Sequence, residues 1–141
     1  MAQGFRLLKE TAQDEFEVVR IASQAYTIGD AVMVDLTSDA VDVVPATSST
    51  ITARIYGVAM ETVTSSAVSM LICKVQPWQK WTADAANTVN TNHNYLRMLL
   101  SDKATVNNTT DNTTTSAVFQ QTGVVGTLRI VGRFLPGFAT T

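Results

Sequence analysis

Two apolar runs separated by a short polar break, within residues 55–75, constrain the fold of this chain more than any other feature. The first run reads Ile-Tyr-Gly-Val-Ala-Met and the second Val-Ser-Met-Leu-Ile-Cys-Lys-Val. Two such runs joined by a few polar residues are typical of a β-hairpin. Ser65 and Ser66 in the break favour a turn, because their hydroxyls can bond to nearby backbone. The stretch therefore predicts an antiparallel hairpin with one buried face.

The rest of the sequence predicts further strands and little helix. Thr82 to Asn87 is rich in Ala and begins with a capping threonine, so it predicts one short helix. Ser101 to Ser116 is rich in Asn and Thr and predicts an exposed loop. Pro45 has no amide hydrogen, so the short strand that precedes it is expected at a sheet edge. Strands are predicted over residues 16–22, 31–36, 40–44, 94–100, 117–121 and 127–135.

This spacing of short strands predicts an all-β fold with one short helix, arranged as a small β-barrel or a β-sandwich. We expect residues 1–15 to form a flexible N-terminal arm and residues 16–141 to form a single β-barrel-like domain. A frayed end or a first edge strand is the open alternative for the arm, since terminal segments are ordered only where they dock.

Composition limits the possible partners. The 141 residues carry a formal net charge of −2, and the 10 basic residues are scattered along the chain. Binding to nucleic acid uses clustered positive charge, so we expect no nucleic-acid partner. We also expect no membrane partner, because no apolar run approaches the ~20 residues of a membrane helix and no signal peptide pattern is visible. The single cysteine, Cys73, permits no internal disulfide and fits folding in a reducing cytosol.

No pattern nominates a catalytic, cofactor-binding or metal site. The one histidine, His93, lies in a polar loop without an identifiable nucleophile or orienting partner. Cys73 lies next to Ile72 in a predicted strand, which favours a buried structural thiol. One Cys and one His do not make a zinc site. We therefore predict that the protein is not an enzyme and that it uses no cofactor.

Apolar residues in the arm and the two tryptophans are the candidates for contact with a partner. Phe5, Leu7 and Leu8 belong to the predicted arm, and Trp78 and Trp81 lie near a break in the strand pattern. Tryptophan is enriched at binding hot spots because it buries a large area with few torsions to fix. The alternative role is to close one end of the barrel, and we expect it for at least one tryptophan.

The order of several segments resembles the capsid decoration proteins of tailed bacteriophages, also called cement or head-stabilising proteins. These segments are YTIGDAVMV at 26–34, IYGVAME at 55–61 and VSMLICKV at 68–75, followed by WTADAA at 81–86 and GTLRIVGRF at 126–134. One departure is a Thr-Ser-Ser break in the hairpin in place of a Gly-Glu turn. The resemblance implies a β-barrel-like domain without catalytic residues. It further implies a homo-oligomer, commonly a trimer, made in the host cytoplasm, which binds the major capsid protein on the outer surface of the virion.

Two other classes of function remain open on the sequence. A phage fibre, baseplate or surface adhesin-type binding module would use the Thr/Asn-rich stretch 105–116 to recognise carbohydrate or protein. A small β-barrel enzyme or ligand carrier is the remaining alternative, and it would be recognised by turnover or by a bound small molecule.

Overall fold

A computed structural model describes residues 3–37, 40–50, 54–108, 111 and 115–135. Within these ranges the secondary structure is almost entirely β, which confirms the predicted all-β class. Among the same residues, no helix combines the length and apolar character that a bilayer crossing requires. The strands are β1 (Arg6–Leu7), β2 (Phe16–Arg20), β3 (Ala31–Val34), β4 (Val43–Pro45), β5 (Ile55–Ala59), β6 (Ser69–Lys74), β7 (Trp81–Ala85), β8 (Arg97–Asp102), β9 (Thr105–Asn107), β10 (Phe119–Gly126) and β11 (Arg129–Phe134), with a 3₁₀ turn at Thr91–His93.

The strands form two sheets, and each sheet curls back on itself. The first is six-stranded with the order β1-β7-β11-β10-β8-β9, and β9 also pairs in parallel with β7, which closes a ring. The second is five-stranded with the order β2-β6-β5-β3-β4. Its outer strands approach each other at an isolated parallel bridge between Ile21 and Val43. β4 lies at a sheet edge, as the proline at its end predicts.

The larger hydrophobic core lies between the ring and the inner face of the second sheet. Four aromatic side chains pack together at its centre, with ring centroids 4.9 Å apart for Phe5 and Phe134 and 5.8 Å apart for Trp81 and Phe134. Phe119 contacts both phenylalanines, with centroids 5.5 and 5.1 Å away. Tilted and edge-on contacts at these distances are the favoured geometry of aromatic pairs.

A second core lies on the other face of the second sheet. Its buried members include Tyr26, Val32, Met70 and Ile72. β5 and β6 pair antiparallel, so the predicted hairpin is confirmed. Its two faces, however, contribute to different cores, since Cys73 belongs to the larger core and its neighbour Ile72 to the second. The prediction of a single buried face is therefore wrong, because the curled sheet covers both sides of this hairpin.

The described part of the predicted arm, residues 3–15, is held against the fold near both of its ends, while residues 8–13 between them are exposed. Phe5 is buried in the larger core, and Arg6–Leu7 form β1, which pairs with Thr82 and Trp81 of β7. For these residues the structure shows a first edge strand, which the sequence left open as an alternative to a flexible arm. Burial of Phe5 among aromatic rings, the pairing of β1 with β7 and the hydrogen bonds from Gln3 and Gly4 to Asp84 together offset the conformational entropy that the segment loses.

The predicted helix at 82–87 is wrong, because Trp81–Ala85 forms the strand β7. Burial alternates along it, with Trp81, Ala83 and Ala85 buried and the residues between them partly exposed. Pairing with neighbouring strands on both sides overrides the helix propensity of alanine, which is a weak preference by comparison.

The predicted exposed loop at 101–116 is also partly wrong. Thr105–Asn107 forms β9, Val106 is fully buried, and the side chain of the buried Asn108 bonds to the backbone of Asn87. The rest of the Thr/Asn tract at 109–110 and 112–114 lies outside the described residues. The Asn- and Thr-rich composition did not reveal β9, which is defined by its pairing with β8 and β7.

Candidate interaction surface

A tight turn at residues 76–79 holds Trp78 at the protein surface. The amide of Gln79 donates to the carbonyl of Gln76 over 3.1 Å, and the amide of Gln76 donates to the side-chain Oε1 of Gln79 over 2.7 Å. Pro77 between them has a preset φ angle that favours the second position of such a turn. The conformation that exposes Trp78 is thus fixed before any partner binds.

The side chain of Gln79 also ties this turn to the N-terminal segment. It is buried, and its Nε2 donates to Asp14 Oδ1 over 3.0 Å and to Cys73 Sγ over 3.7 Å. Asp14 in turn accepts from the amide of Thr11 over 2.7 Å and donates its own amide to the carbonyl of Thr11. The hydrogen bond from Gln79 is the main reason that the pKa of Asp14 is lowered. Two surface turns are therefore joined by one buried amide side chain.

Leu8 and Trp78 lie on the same shallow groove, which has a volume of about 280 Å³. Both side chains are large and apolar, and they are 50% and 55% exposed. We call this region the Leu8–Trp78 surface. Its polar rim carries two lysines, Lys9 and Lys80. The residues that line it are Leu8, Lys9, Thr11, Asp14, Trp78, Gln79 and Lys80.

The other three predicted contact residues do not reach this surface. Phe5 and Trp81 are buried in the larger core, and Leu7 packs against that core from a partly buried position. Trp81 is packed in the aromatic group of the larger core, and its Nε1 has no hydrogen-bond partner among the described residues. In this conformation, Phe5 and Trp81 cannot contact a partner directly.

Asp84 and Arg129 form a group of hydrogen bonds, here called the charged clamp, which fixes the chain segment that leads to Leu8. Asp84 Oδ2 accepts from the amides of Gln3 and Gly4, each over 2.7 Å. Arg129 Nη1 donates to Asp84 Oδ1 over 2.7 Å and to the carbonyl of Gly4 over 2.9 Å. Gly4 has a φ of +65°, and a Cβ there would lie 2.6 Å from the carbonyl oxygen of Gly29, so only glycine fits. The clamp fixes the chain that leads into β1 and then to Leu8.

Neither Cys73 nor His93 is arranged as a reactive group. Burial raises the pKa of the Cys73 thiol to about 11, which keeps the thiol protonated at neutral pH. His93 ends the 3₁₀ turn, and its Nδ1 is buried without a hydrogen-bond partner among the described residues. In the part of the chain that the structure describes, no group of three or more His, Cys, Asp or Glu side chains is placed to hold a metal ion.

Sequence reasoning nominated Leu8 and Trp78, which are exposed in the structure, but missed the residues that position them. Gln79 carries no signal of its own, although the Gln76-Pro77 pair marks a turn. Thr11 and Asp14 have the three-residue spacing of a local cap, and the structure shows them closing a surface turn. The bond between Gln79 and Asp14 joins residues 65 apart in sequence, and no local pattern predicts it.

No family model matches the chain, and no curated protein is significantly similar to it.

Proposed function

We propose that this protein is a structural component of a tailed-phage virion, which binds the outer surface of the capsid and stabilises the shell. The observation that carries this proposal is the Leu8–Trp78 surface, which presents an aromatic and an aliphatic side chain from turns already fixed by hydrogen bonds. A fixed turn loses little conformational entropy on binding, so more of the contact energy appears as affinity. The order of segments that resembles decoration proteins supports the same function.

The proposed partner is the major capsid protein, and the proposed form of this protein is a homotrimer. A stable interface buries about 800 Å² on each partner, which is more than a groove with two apolar residues supplies. A trimer would engage a shell through three copies of the surface, and linked copies bind with an avidity well above that of one. Lys9 and Lys80 on the rim favour an acidic patch on the capsid.

The proposed mode of action is protein contact without catalysis and without a nucleic-acid partner. Burial of the Cys73 thiol and the scattered basic residues support this mode. A substrate turned over by the purified protein, with loss of turnover on replacing His93 or Cys73, would contradict it.

Co-sedimentation with undecorated expanded capsids tests the proposal. We expect the wild-type protein to sediment with capsids, and Trp78→Ala to lower its affinity by about 2 kcal/mol or more, as for a hot-spot residue. Leu8→Ala should weaken binding by a smaller amount. Failure of the wild-type protein to sediment with any capsid of a tailed phage would contradict the proposal.

Matched control variants test whether binding depends on this surface or on any exposed apolar side chain. Leu128 is 53% exposed and Tyr95 is 70% exposed, and both lie outside the Leu8–Trp78 surface. We expect Leu128→Ala and Tyr95→Ala to sediment as the wild type does. Equal losses in all four variants would mean that binding is not specific to this surface. Light scattering on the free protein should give the mass of three chains.

An adhesin-type binding module is the second candidate, and Tyr95 is the observation that favours it. This residue has a φ of +72°, a conformation that side-chain-bearing residues rarely adopt, and its ring is exposed. Strained and exposed residues of this kind recur at binding sites. Binding to a glycan array that is lost in Tyr95→Ala and kept in Trp78→Ala would favour this module over a decoration protein. Deleting residues 105–116 is a poor test, because Val106 and Asn108 are buried.

A further inference from the structure

The strand β2 lies at one edge of the second sheet, and only one of its two sides is paired along most of its length. The amide of Lys74 donates to the carbonyl of Glu15 over 2.9 Å, and the amide of Ile21 donates to the carbonyl of Val68 over 3.0 Å. In an antiparallel pair the residues that bond to the neighbouring strand alternate. The odd-numbered residues of β2 therefore bond to β6, and the backbone groups of the even-numbered residues point away from it.

This outer side of β2 is closed at one end and open at the other. At Arg20 it is closed, because the amide of Asp42 donates to the carbonyl of Arg20 and Asp42 Oδ2 accepts from the amide of Arg20. At Phe16 and Val18 the outward amide and carbonyl groups meet no partner among the described residues. Phe16 and Val18 are also 45% and 67% exposed, which is unusual for apolar residues on a sheet edge.

A groove of about 790 Å³ runs beside this open edge. Its charged groups are the carboxylates of Glu17, Asp35 and Asp42 and the guanidinium of Arg20, so acidic groups are in excess. The Asp42 carboxylate is paired with Arg20 over 2.8 Å. Tyr56 donates its hydroxyl to Glu17 over 2.6 Å, and Asp35 accepts from Thr37. The apolar part of the lining is Val18, Val34, Val41 and the Tyr56 ring.

We propose that the open edge of β2, from Phe16 to Val18, receives an extended segment of a partner protein that alternates apolar with Lys or Arg side chains, bound as an added strand. Two backbone amides and two backbone carbonyls are available to the added strand at these positions. Strand addition to an open edge obtains affinity from such main-chain bonds and specificity from pockets for alternate side chains. The acidic excess of the groove selects basic side chains, and its valines accept the apolar ones. This inference stands apart from the proposed capsid function, because it concerns another surface and needs no capsid for its test.

The probe is a blocked hexapeptide of alternating valine and lysine, titrated into the purified full-length protein and followed by amide chemical shifts. We expect saturable shifts confined to β2 and the groove. Two control peptides are informative: one with glutamate in place of lysine, and one with N-methyl groups on the amides of alternate residues. Both should bind at least about tenfold more weakly, since the first loses charge complementarity and the second loses backbone donors.

A proline at position 18 tests the edge from the protein side. The Val18 amide points away from β6, so Val18→Pro removes an outward donor without breaking the ladder to β6. We expect Val18→Pro to lower peptide affinity at least about tenfold and Val18→Thr, which keeps the amide, to leave it within about twofold. Circular dichroism and thermal unfolding check that both variants fold. Should Val18→Pro not fold, the N-methylated peptide tests the same hydrogen bonds in the wild-type protein.

Several outcomes would overturn the inference. These are the absence of saturable shifts at millimolar peptide, equal affinity for the glutamate peptide, and shifts that map away from β2. Concentration-dependent dimerisation that Val18→Pro abolishes, without peptide binding, would instead assign this edge to a second copy of the chain.

Discussion

At the scale of single residues, Gln79 is the position on which the geometry of the Leu8–Trp78 surface depends. Its buried amide bonds to Gln76 within the turn and to Asp14 in the N-terminal segment. Loss of such a side chain leaves buried polar groups unpaired, and that penalty exceeds the net gain from making the bonds. The hydrogen bonds of one buried side chain thus help to hold Trp78 in place.

We expect Gln79→Ala to destabilise the protein by about 1–3 kcal/mol, because it leaves the amide of Gln76 without its acceptor. Urea unfolding followed by tryptophan fluorescence measures this change. Gln13→Ala is the matched control, since its side chain is exposed in the same region. It should stay within about 0.5 kcal/mol of the wild type. Equal stability of the two variants would show that the turn does not depend on Gln79.

The lowered pKa of Asp14 predicts a defined dependence of stability on pH. A carboxyl whose pKa is lower in the folded state stabilises the fold above its unfolded pKa, about 3.9 for Asp, and this contribution disappears as pH falls through the folded value. The main cause is the hydrogen bond from Gln79. Asp14→Asn should therefore lose less free energy of unfolding than the wild type between about pH 5 and pH 2. Identical slopes would contradict this assignment, and Gln79→Ala should reduce the slope in the same direction.

At the scale of elements, the sequence predicts strands well where apolar residues run in hairpins. Strands β2, β3, β5, β6, β8, β10 and β11 all overlap their predicted ranges. β7 could not be predicted, because its partners are distant in sequence: Asp84 lies opposite Thr105, and Val131 lies opposite Thr82. β9 pairs with β8 directly before it and also with β7, but its residues lie in an Asn- and Thr-rich stretch whose composition favours a loop. Local propensity predicted a helix and a loop at these two places, and pairing with neighbouring strands overrode both.

The same limit applies to the candidate surface. Exposed apolar residues such as Leu8 and Trp78 can be proposed from their type and their position near a break. The burial of Phe5 and Trp81 could not be separated from the exposure of Trp78, since all three belong to types that serve both in cores and at interfaces. In the structure, the register of β1 against β7 places Leu7 opposite Trp81, and the hydrogen-bonded turn at residues 76–79 exposes Trp78.

The N-terminal strand supplies a prediction at this scale. Phe5→Ala should destabilise the protein by about 3–5 kcal/mol, because it empties a site among three other aromatic rings. Removing residues 1–8 should be at least as destabilising, since it also removes β1 and the groups held by Asp84. Leu8→Ala is the control and should cost about 1 kcal/mol or less. Thermal and urea unfolding measure both, and a truncated chain as stable as the wild type would show that residues 1–8 are a dispensable arm.

At the scale of the whole molecule, the two cores share strands and should not melt separately. Val58 and Ala59 are neighbours in β5, yet Val58 lies in the larger core and Ala59 in the second. If β5 lost the side chains that pack against one of its faces, the packing against its other face would be lost as well. We therefore expect the chain to unfold as one cooperative unit, as small domains generally do.

Substitutions in either core test this coupling. Ile72→Ala lies in the second core and Phe134→Ala in the larger one, and each should cost about 2–5 kcal/mol. We expect both to lower the midpoint of one calorimetric transition, with equal calorimetric and van't Hoff enthalpies. Val68→Ala, which is exposed, should leave the midpoint almost unchanged. Two resolved transitions in either variant would contradict the shared-strand picture.

The position of β11 has a consequence for synthesis in the cell. It is the final strand in the described order, yet it lies between β7 and β10 in the ring and buries Ile130 and Phe134. A nascent chain on the ribosome thus cannot complete its interior until residues 129–134 have emerged from the exit tunnel. β7 and β10 stay unpaired on that side until β11 is available, so the ring closes only after residues 129–134 have left the ribosome.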